Sequence, residues 1–172
     1  MTLTLRHAVA DDLMAVGALH QRSRVAAYSS FLPPEALALP TPEMMGDYWA
    51  QRWSYERDDH LMTVAERDGR LVGFSYVGPD ELDGVVDPDA AMLRAIHLDP
   101  TEQGRGTGRA LMRDALRTMR SWGRTRATLW VLADNTHARR FYERGGWAPE
   151  GPVRDESFGP VTVRQLRYAR PL

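Results

Sequence analysis

The sequence predicts a mixed α/β domain, in which helices flank a central sheet. Alternating apolar residues, typical of strands, recur along the chain, and amphipathic helical patterns lie between them. The central part runs in strand–helix–strand order, which builds a sheet covered by helices. With 172 residues and no linker or low-complexity tract, the chain is expected to form one domain over residues 1–172.

The first part of the chain is predicted to contain a strand and two helices. The run LTLRHA alternates in polarity like a short strand. Asp11 or Asp12 can then cap a helix that continues toward residue 30. Thr41 suits the N-cap of a second helix, because a proline and Glu43 follow it in the first turn.

The middle of the chain is predicted to hold a hairpin and a further strand. Residues 61–78 give two strands joined by a tight turn at Asp68-Gly69. The acidic stretch 79–90 is expected to be a solvated loop, although one of its carboxylates could border a binding cleft. The apolar run 91–98 then forms a strand.

The C-terminal part continues the alternation of helices and strands. A glycine-rich loop opens an amphipathic helix that extends to about Trp122. A clear strand follows at 126–132, and a short helix within 136–146 is stopped by two glycines. The stretches 147–153 and 161–169 are predicted as two more strands.

Composition and charge limit the classes of partner. Hydrophobic residues make up 43% and charged residues 26% of the chain, and the formal net charge is −1. This balance offers no global attraction to nucleic acid or to an anionic membrane, so neither is an expected partner. No stretch has the length of a membrane span, and no basic segment followed by an apolar one marks a secretory signal. A cytoplasmic location is expected.

The chain has no cysteine. Disulfides, thiolate metal sites and a cysteine nucleophile are therefore excluded. The sequence indicates no metal cofactor.

The segment QGRGTGRALM, residues 103–112, is the clearest candidate for a binding site. It places three glycines and two arginines between an apolar strand and a helix. The backbone N–H groups of a first helical turn lack partners within the helix, so an anion such as phosphate can bind them. A glycine turn that only lets strand and helix pack closely is the alternative.

Two known phosphate-binding loops do not fit this segment. A Walker A loop requires Lys-Ser/Thr after its last glycine, whereas Arg109-Ala110 follows Gly108. A Rossmann loop requires Gly-x-Gly-x-x-Gly and an acidic residue at the end of the next strand. The spacing here differs, and no acid follows until Asp134.

A third loop pattern fits better. Residues 103–108 match the Gln/Arg-x-x-Gly-x-Gly/Ala loop that binds the pyrophosphate of coenzyme A in the GNAT superfamily of N-acetyltransferases. A second segment of that family, Asn-x-x-Ala-x-x-Phe-Tyr-x-x-x-Gly-Trp/Phe, is matched in the correct order by Asn135, Ala138, Phe141, Tyr142, Gly146 and Trp147. With further similar segments near both ends, essentially the whole chain resembles a bacterial branch of this family.

The resemblance implies a GNAT fold, with a mixed sheet of about six to seven strands, about four helices, and strands four and five splayed around the cofactor. It implies an enzyme that moves an acetyl group from acetyl-CoA to a primary amine of a small molecule or peptide, directly within a ternary complex. A homodimer is a further expectation. An acyl-CoA-binding regulatory or sensor module without catalysis is the alternative, and a binder of NAD or ATP is the third hypothesis.

The cofactor contacts that the resemblance implies fall on three parts of the chain. The pyrophosphate is expected to bind the loop formed by Gln103, Gly104, Arg105, Gly106, Thr107, Gly108 and Arg109. The pantetheine arm is expected to bond to the backbone of Ile96, His97 and Leu98. Asn135 would bond that arm or hold the following loop, and Phe141 would pack beneath the cofactor or belong to the core.

Tyr142 is predicted to be the general acid. In the family, this position points at the thioester sulfur and protonates the leaving CoA thiolate. An unperturbed phenol, with a pKa of about 10, keeps its proton near neutral pH and can serve as that acid. A buried tyrosine bonded to a backbone carbonyl is the structural alternative.

The general base is left open. Relatives often carry Glu early in the fourth strand, where this chain has Met92. His97 is one candidate, with an unperturbed pKa of about 6.5. A regular strand places it on the face of Leu93 and Ala95, opposite Met92, although a bulge would change this. A structural histidine, a water chain or another base are the alternatives.

Two residues are candidate contacts to the acetyl acceptor. In the family, the pocket for the acetyl acceptor is built largely from the first two helices and the loop between them, and Tyr28 lies near that loop. Arg94, on the predicted face of Met92, could hold an acidic group of the acetyl acceptor. Trp49 and Trp53, at helical spacing, are expected to be core residues.

Overall fold

The computed structural model describes residues 2–172 as seven strands and five helices. The strands are β1 (Leu3–His7), β2 (Leu61–Arg67), β3 (Arg70–Leu82), β4 (Val85–Leu98), β5 (Arg126–Leu132), β6 (Ala148–Phe158) and β7 (Val161–Pro171). The helices are α1 (Leu13–Tyr28), α2 (Pro34–Leu37), α3 (Pro42–Glu56), α4 (Thr107–Ser121) and α5 (Thr136–Arg144). The mixed α/β class is confirmed, and α1, α3, α4 and α5 are the expected helices. The short α2 was not predicted.

All seven strands belong to one sheet in the order β1-β2-β3-β4-β5-β7-β6. The central pair β4 and β5 is parallel, and the other pairs are antiparallel. The parallel ladder runs only from Ala90 opposite Arg126 to Leu93 opposite Leu129. Both strands continue beyond it without pairing to each other, so they separate at their C-terminal ends.

Helices cover both faces of the sheet, as the sequence predicts. On one face, α4 packs Leu116 and Met119 against apolar residues of β4 and β5. The exposed face of α4 carries its arginines, as its amphipathic pattern predicts. On the other face, α1 and α3 pack against β2 and β3, with Trp49 at the centre. These two helices approach closely at Gly17, where a Cβ atom would lie 2.2 Å from the backbone nitrogen of Gly46.

The expected acidic loop over 79–90 is wrong, because this stretch extends the hairpin of β3 and β4. The turn is tight, at Asp83 and Gly84, whose φ angles of 52° and 78° suit a two-residue hairpin loop. Asp80 is 1% exposed and accepts a hydrogen bond from Arg167 Nη2 at 2.5 Å. The acidic residues of 79–90 therefore include one member of a buried ion pair as well as residues of a solvated turn.

The start of α1 also differs from the prediction. A short 3₁₀ turn over Ala10–Asp12 precedes the helix. The Asp12 carboxylate accepts from the Val9 N–H at 2.8 Å and pairs with Arg6, so it makes no capping bond to α1. Thr41 does cap α3 as expected, because its Oγ1 accepts from the Met44 N–H.

Candidate functional site

A cleft of about 830 Å³ opens where β4 and β5 separate. From Arg94 to Leu98, the edge of β4 that faces β5 has no strand neighbour within residues 2–172. Buried backbone polar groups require hydrogen-bond partners. An extended ligand that carries amide groups could supply them, and the edge of β4 therefore suits such a ligand.

The cleft gathers most of the residues that the sequence singled out. Its lining includes Tyr28, Arg94, Ile96, His97, Leu98, Gln103, Gly108, Asn135, Phe141 and Tyr142. The rest of the glycine loop continues from Gln103 and Gly108 and lies outside the lining. These remaining residues are Gly104, Arg105, Gly106, Thr107 and Arg109.

The three glycines of the loop have different roles. Gly104 and Gly106 have φ angles of 75° and 83°, and the space where a Cβ would lie is open. A Cβ at Gly108 would instead lie 3.2 Å from Leu98 Cδ1, so this glycine permits close packing of α4 on β4. Both predicted roles of the glycines therefore have support, at different positions.

The first turn of α4 provides unpaired donors beside this open space. In the part of the chain that the structure describes, the backbone N–H groups of Thr107, Gly108 and Arg109 meet no acceptor. They lie at the positive end of the helix dipole. These residues therefore fit a phosphate-bearing cofactor.

Sequence reasoning missed the acid that holds this loop from beneath. Glu102 is 1% exposed and accepts from Thr107 Oγ1 at 2.6 Å and from Arg67 Nη2 at 3.0 Å. It also pairs with Arg105 at 3.1 Å. Burial raises the pKa of Glu102, but the hydrogen bonds from Arg67 and Thr107 and the two arginine charges outweigh burial and lower it. The side chain of Thr107 is thus turned inward, which leaves its backbone N–H for a ligand.

Tyr142 lies on α5 with its ring in the core. Its side chain packs against Trp147, and the residue is 9% exposed. Its hydroxyl forms no hydrogen bond within residues 2–172, so the carbonyl-bonded tyrosine of the structural alternative is not observed. Burial raises the pKa of this phenol. A protonated hydroxyl at the cleft can therefore donate to a ligand.

Two other residues of the second motif support α5 and the core. Asn135 is the N-cap of α5, and its Oδ1 accepts from the Ala138 N–H at 3.2 Å. Phe141 packs against the core cluster that includes Leu116 of α4. Both line the cleft as well, so a structural role and a contact with a ligand are compatible at each position.

A bulge in β4 corrects the predicted face of His97. Tyr76 lies opposite Ala95 and Val77 lies opposite Leu93, so Arg94 is an extra residue in β4. Leu93 consequently packs toward α4, whereas Ala95 packs toward α1 and α3. His97 therefore faces α1 together with Ala95 and Met92, and it is not on the face of Leu93.

The surroundings of His97 keep its imidazole neutral. Its Nδ1 lies 3.1 Å from Ser23 Oγ, and its ring centroid lies 4.0 Å from that of His20. Burial, followed by the positive charge of Arg24, lowers the pKa of His97 to about 4. A group with so low a pKa is a weak base toward an ammonium ion, which favours the structural alternative for this histidine.

The lowered pKa of His97 predicts that the folded protein loses stability at acidic pH. The unfolded chain binds a proton at His97 near pH 6.5 and the folded chain only near pH 4, so folding stability falls as pH drops through this window. The loss at pH 4 is about 3 kcal/mol if the full shift operates. His97→Asn should therefore flatten the pH dependence of the free energy of unfolding, measured by urea denaturation between pH 4 and 7.

The exposed His7→Asn is the matched control for that measurement. His20, whose pKa is also lowered by burial and by the charge of His97, remains in both variants. Parallel pH profiles for His97→Asn and the unmodified chain would contradict the assignment.

The two predicted contacts to an acetyl acceptor, Tyr28 and Arg94, both line the cleft. Tyr28 packs between Phe31 and Phe158, and burial raises its pKa to about 12. Arg94 Nη2 donates to the Pro79 carbonyl at 3.0 Å. Trp49 is 2% exposed within the core, as expected, and its Nε1 donates to His20.

Two classes of feature are not found in the part of the chain that the structure describes. No group of three or more histidine, aspartate or glutamate side chains there is arranged to hold a metal ion. No helix within residues 2–172 is long and apolar enough to cross a membrane.

Comparison with known proteins identifies relatives of this chain. The acetyltransferase (GNAT) family model matches residues 26–147. An uncharacterised N-acetyltransferase of Methanocaldococcus jannaschii is 31% identical over 106 residues, which is 62% of this chain and 47% of that protein. The mycothiol acetyltransferase of Cellulomonas flavigena is 32% identical over 63% of this chain and 32% of its own length. The chain thus spans half or less of the length of these relatives.

The fold has a match among solved structures. The paiA N-acetyltransferase of Thermoplasma acidophilum, crystallised with coenzyme A, superposes with a TM-score of 0.80 over 100% of both chains. The sequence identity is 18%, so this likeness concerns the fold.

Proposed function

Because the chain belongs to the GNAT acetyltransferase family, we propose that it transfers an acetyl group from acetyl-CoA to a primary amine. The observation that carries this proposal is the separation of β4 from β5 between the glycine loop and Tyr142. This arrangement gives one cleft an anion site, a free strand edge and a proton donor. The family alone does not decide which amine is acetylated.

The cofactor contacts follow from the chemistry of the cleft. The N–H groups of Thr107, Gly108 and Arg109 are the proposed donors to the pyrophosphate. The free edge of β4 over Ile96, His97 and Leu98 would bond the amides of the pantetheine arm. Gln103, Gly104, Arg105 and Gly106 complete the proposed loop, and Asn135 and Phe141 border the arm.

The proposed chemistry is direct transfer within a ternary complex. Acetyl-CoA supplies the acetyl group as a thioester. A C–N bond to the amine forms, the C–S bond breaks, and Tyr142 donates its proton to the leaving sulfur. Since the chain has no cysteine, a cysteinyl acyl-enzyme is excluded, and sequential rather than ping-pong kinetics are expected.

The amine must lose a proton before it attacks. Met92 supplies no base, and the low pKa of His97 makes it a poor one. We therefore propose that the proton leaves through water in the cleft. Tyr28 and Arg94 are kept as the proposed contacts to the acetyl acceptor.

The organisation around the site is also proposed. The same sheet extends from Leu3 to Pro171, which supports treating residues 1–172 as one acetyltransferase domain. A cytoplasmic location, a homodimer and the lack of a nucleic-acid partner stay predictions.

Two measurements test the proposal. In thermal unfolding, CoA and acetyl-CoA at about 100 times their dissociation constants should stabilise the fold by roughly 2.7 kcal/mol. The unfolding midpoint then rises by a few degrees. NAD and ATP are the controls and should produce no shift. The second measurement is CoA release from acetyl-CoA with a panel of amines, read with a thiol reagent.

The thiol assay suits this chain because it contains no cysteine, so the reagent reports only released CoA. A CoA shift with amine-dependent release supports the transferase. A CoA shift without release for any amine would favour the sensor module. No CoA shift, or a larger shift with NAD or ATP, would contradict the proposed cofactor.

A further inference from the structure

Arg94 and Arg154 line the cleft without an ion-pair partner within residues 2–172. Arg94 projects from the bulge of β4, and Arg154 projects from β6. Neither forms an ion pair with a carboxylate of residues 2–172. Arg52, in contrast, lines the same cleft and pairs with Glu56 at 2.7 Å. Within residues 2–172, the arginines of the cleft lining outnumber its carboxylates by four to three: Arg24, Arg52, Arg94 and Arg154 against Glu81, Asp99 and Glu156.

The hydrogen bonds of Arg94 leave a donor unused. Its Nη2 donates to the Pro79 carbonyl at 3.0 Å, which fixes the plane of the guanidinium group. Its Nε is buried and has no partner within residues 2–172. Because Nε is shielded from solvent, a ligand in the cleft does not reach it. The Nη1 group makes no hydrogen bond within residues 2–172 and is the donor that Arg94 can offer to a ligand.

Arg154 is held in place by neutral groups. Its Nε donates to Gln165 Oε1 at 2.5 Å, and its guanidinium lies 4.3 Å from the centre of the Trp130 ring. The aromatic contact orients the guanidinium plane without neutralising its charge. The Nη1 and Nη2 groups of Arg154, which lines the cleft, make no hydrogen bond within residues 2–172.

Besides burial, the positive charge of Arg94 contributes to the pKa of Arg154. Burial lowers the pKa of Arg154; Glu156 opposes this effect, and the charges of Arg94 and Arg167 add to it. Of the nearby acids, Asp80 and Glu150 have a cationic partner, whereas Glu156 has only a neutral one and keeps its charge. Arg167 pairs with Asp80 and Glu150, and Glu156 accepts from Gln165 Nε2 at 2.5 Å. An incoming anion would relieve this repulsion.

The position of the pair separates it from the cofactor phosphates. Arg94 precedes Leu98 by four residues on an extended strand, a distance of about 13 Å. The glycine loop begins beyond Leu98. An anion held by Arg94 and Arg154 therefore belongs to a different molecule or a different group from the pyrophosphate.

We propose that the acetyl acceptor is a free amino acid whose carboxylate is bound by Arg94 and Arg154. Planar guanidinium groups match the two oxygens of a carboxylate and form charge-assisted hydrogen bonds to them. Tyr28, Met92 and Trp130 border the same space and suit an apolar side chain. This inference rests on the acetyl transfer proposed above.

The test compares amino acids with the corresponding amino-acid amides, which keep the amine and the side chain and lack the carboxylate. With CoA release as the readout, kcat/KM for the acids should exceed that for the amides by about ten-fold or more. The amino group of an amino-acid amide is less basic than that of the amino acid, so a larger fraction of it is deprotonated at a given pH. The reactivity of the amine alone therefore favours the amides. A preference for the acids therefore reports recognition of the carboxylate.

Substitutions of the two arginines test whether they are the residues that bind the carboxylate. Arg94→Gln and Arg154→Gln should each lower kcat/KM for the acids about ten-fold, mainly through KM, so that the preference for acids over amides is lost. Arg94→Lys should retain part of the preference, because it keeps the charge and loses the planar fork. Arg113→Gln, on the exposed face of α4, is the matched control. An unchanged thermal shift with CoA verifies that each variant is folded.

A binding measurement separates this inference from the proposed function. With CoA bound, the acids should raise the unfolding midpoint of the unmodified chain and the amides should not. If this occurs without any CoA release, the carboxylate site is supported and the transferase is contradicted. If acids and amides bind or react equally, or if the variants affect both series alike, the carboxylate site is overturned.

Discussion

Tyr142→Phe should lower kcat about 100-fold or more while the thermal shift with CoA stays unchanged. Loss of a positioned general acid typically costs this much in rate. Phenylalanine keeps the ring that packs against Trp147, and the lost hydroxyl forms no hydrogen bond within residues 2–172. The substitution therefore removes a proton donor without creating a cavity or an unsatisfied group.

The pKa of Tyr142 strengthens this expectation. Burial raises it, so the phenol holds its proton through and beyond the neutral range. The unmodified enzyme should then show no loss of kcat at mildly alkaline pH that belongs to Tyr142. A fall in kcat in that pH range, present in the unmodified enzyme and absent in Tyr142→Phe, would contradict the raised pKa of Tyr142.

The matched control is Tyr55→Phe, the same chemical change at a side chain that is 80% exposed on α3. The assay uses the amine that gives the fastest CoA release from the unmodified protein. A kcat equal to that of Tyr55→Phe would remove Tyr142 from the chemistry. A lost CoA shift would instead assign Tyr142 to cofactor binding.

The parts of the site that depend on local backbone geometry could be predicted from the sequence. The run from Gln103 to Gly108 places glycines where the backbone needs positive φ and close packing, and both needs are met within a few residues. The buried face of α4 can also be predicted, from the helical spacing of its apolar residues. Such features depend on neighbours in the chain, which a sequence displays directly.

The features that were missed depend on partners far away in the sequence. Glu102 bonds to Arg67, 35 residues earlier, and Asp80 pairs with Arg167, 87 residues later. An acidic residue in a polar stretch gives no sign of such a partner, so Asp80 was assigned to a solvated loop.

The sequence leaves the bulge at Arg94 as an open alternative for a related reason. The register of β4 is set jointly with β3, and one inserted residue moves the following side chains to the opposite face. The apolar run of β4 is buried on both faces, so apolar and polar residues do not alternate along it. Its pattern therefore does not indicate which face each side chain occupies. The orientation of His97 therefore could not be predicted from spacing alone.

Glu102→Gln should both destabilise the fold and weaken the binding of CoA. Glutamine keeps the shape of the side chain but not its charge, so Arg67, whose side chain is 11% exposed, loses its buried counter-charge. Removing one partner of a buried pair costs about 3 kcal/mol or more. One oxygen is also replaced by an amide donor that faces other donors.

The effect should extend to the cofactor because Glu102 orients the start of α4. Thr107 Oγ1 donates to this carboxylate, and the N–H of Thr107 is a proposed phosphate donor. When the loop is no longer held, CoA should bind about ten-fold more weakly, a loss of about 1.4 kcal/mol. Calorimetric titration of CoA measures this change, and urea denaturation measures the stability.

The pH dependence gives an independent check. The folded pKa of Glu102 is lowered, so its contribution to stability is present above the unfolded pKa and is lost as pH falls through the folded value. Glu102→Gln should lose this part of the acid sensitivity. Glu43→Gln, at an exposed position in the first turn of α3, is the matched control.

The two readouts separate support of the fold from support of the loop. If Glu102 only stabilises the domain, the variant unfolds earlier and binds CoA with unchanged affinity at a temperature where both proteins are folded. If Glu102 positions the phosphate donors, the dissociation constant for CoA rises at that same temperature. An unchanged stability together with an unchanged dissociation constant would contradict both parts of the prediction, and the network around Arg67 would then have no energetic role in this enzyme.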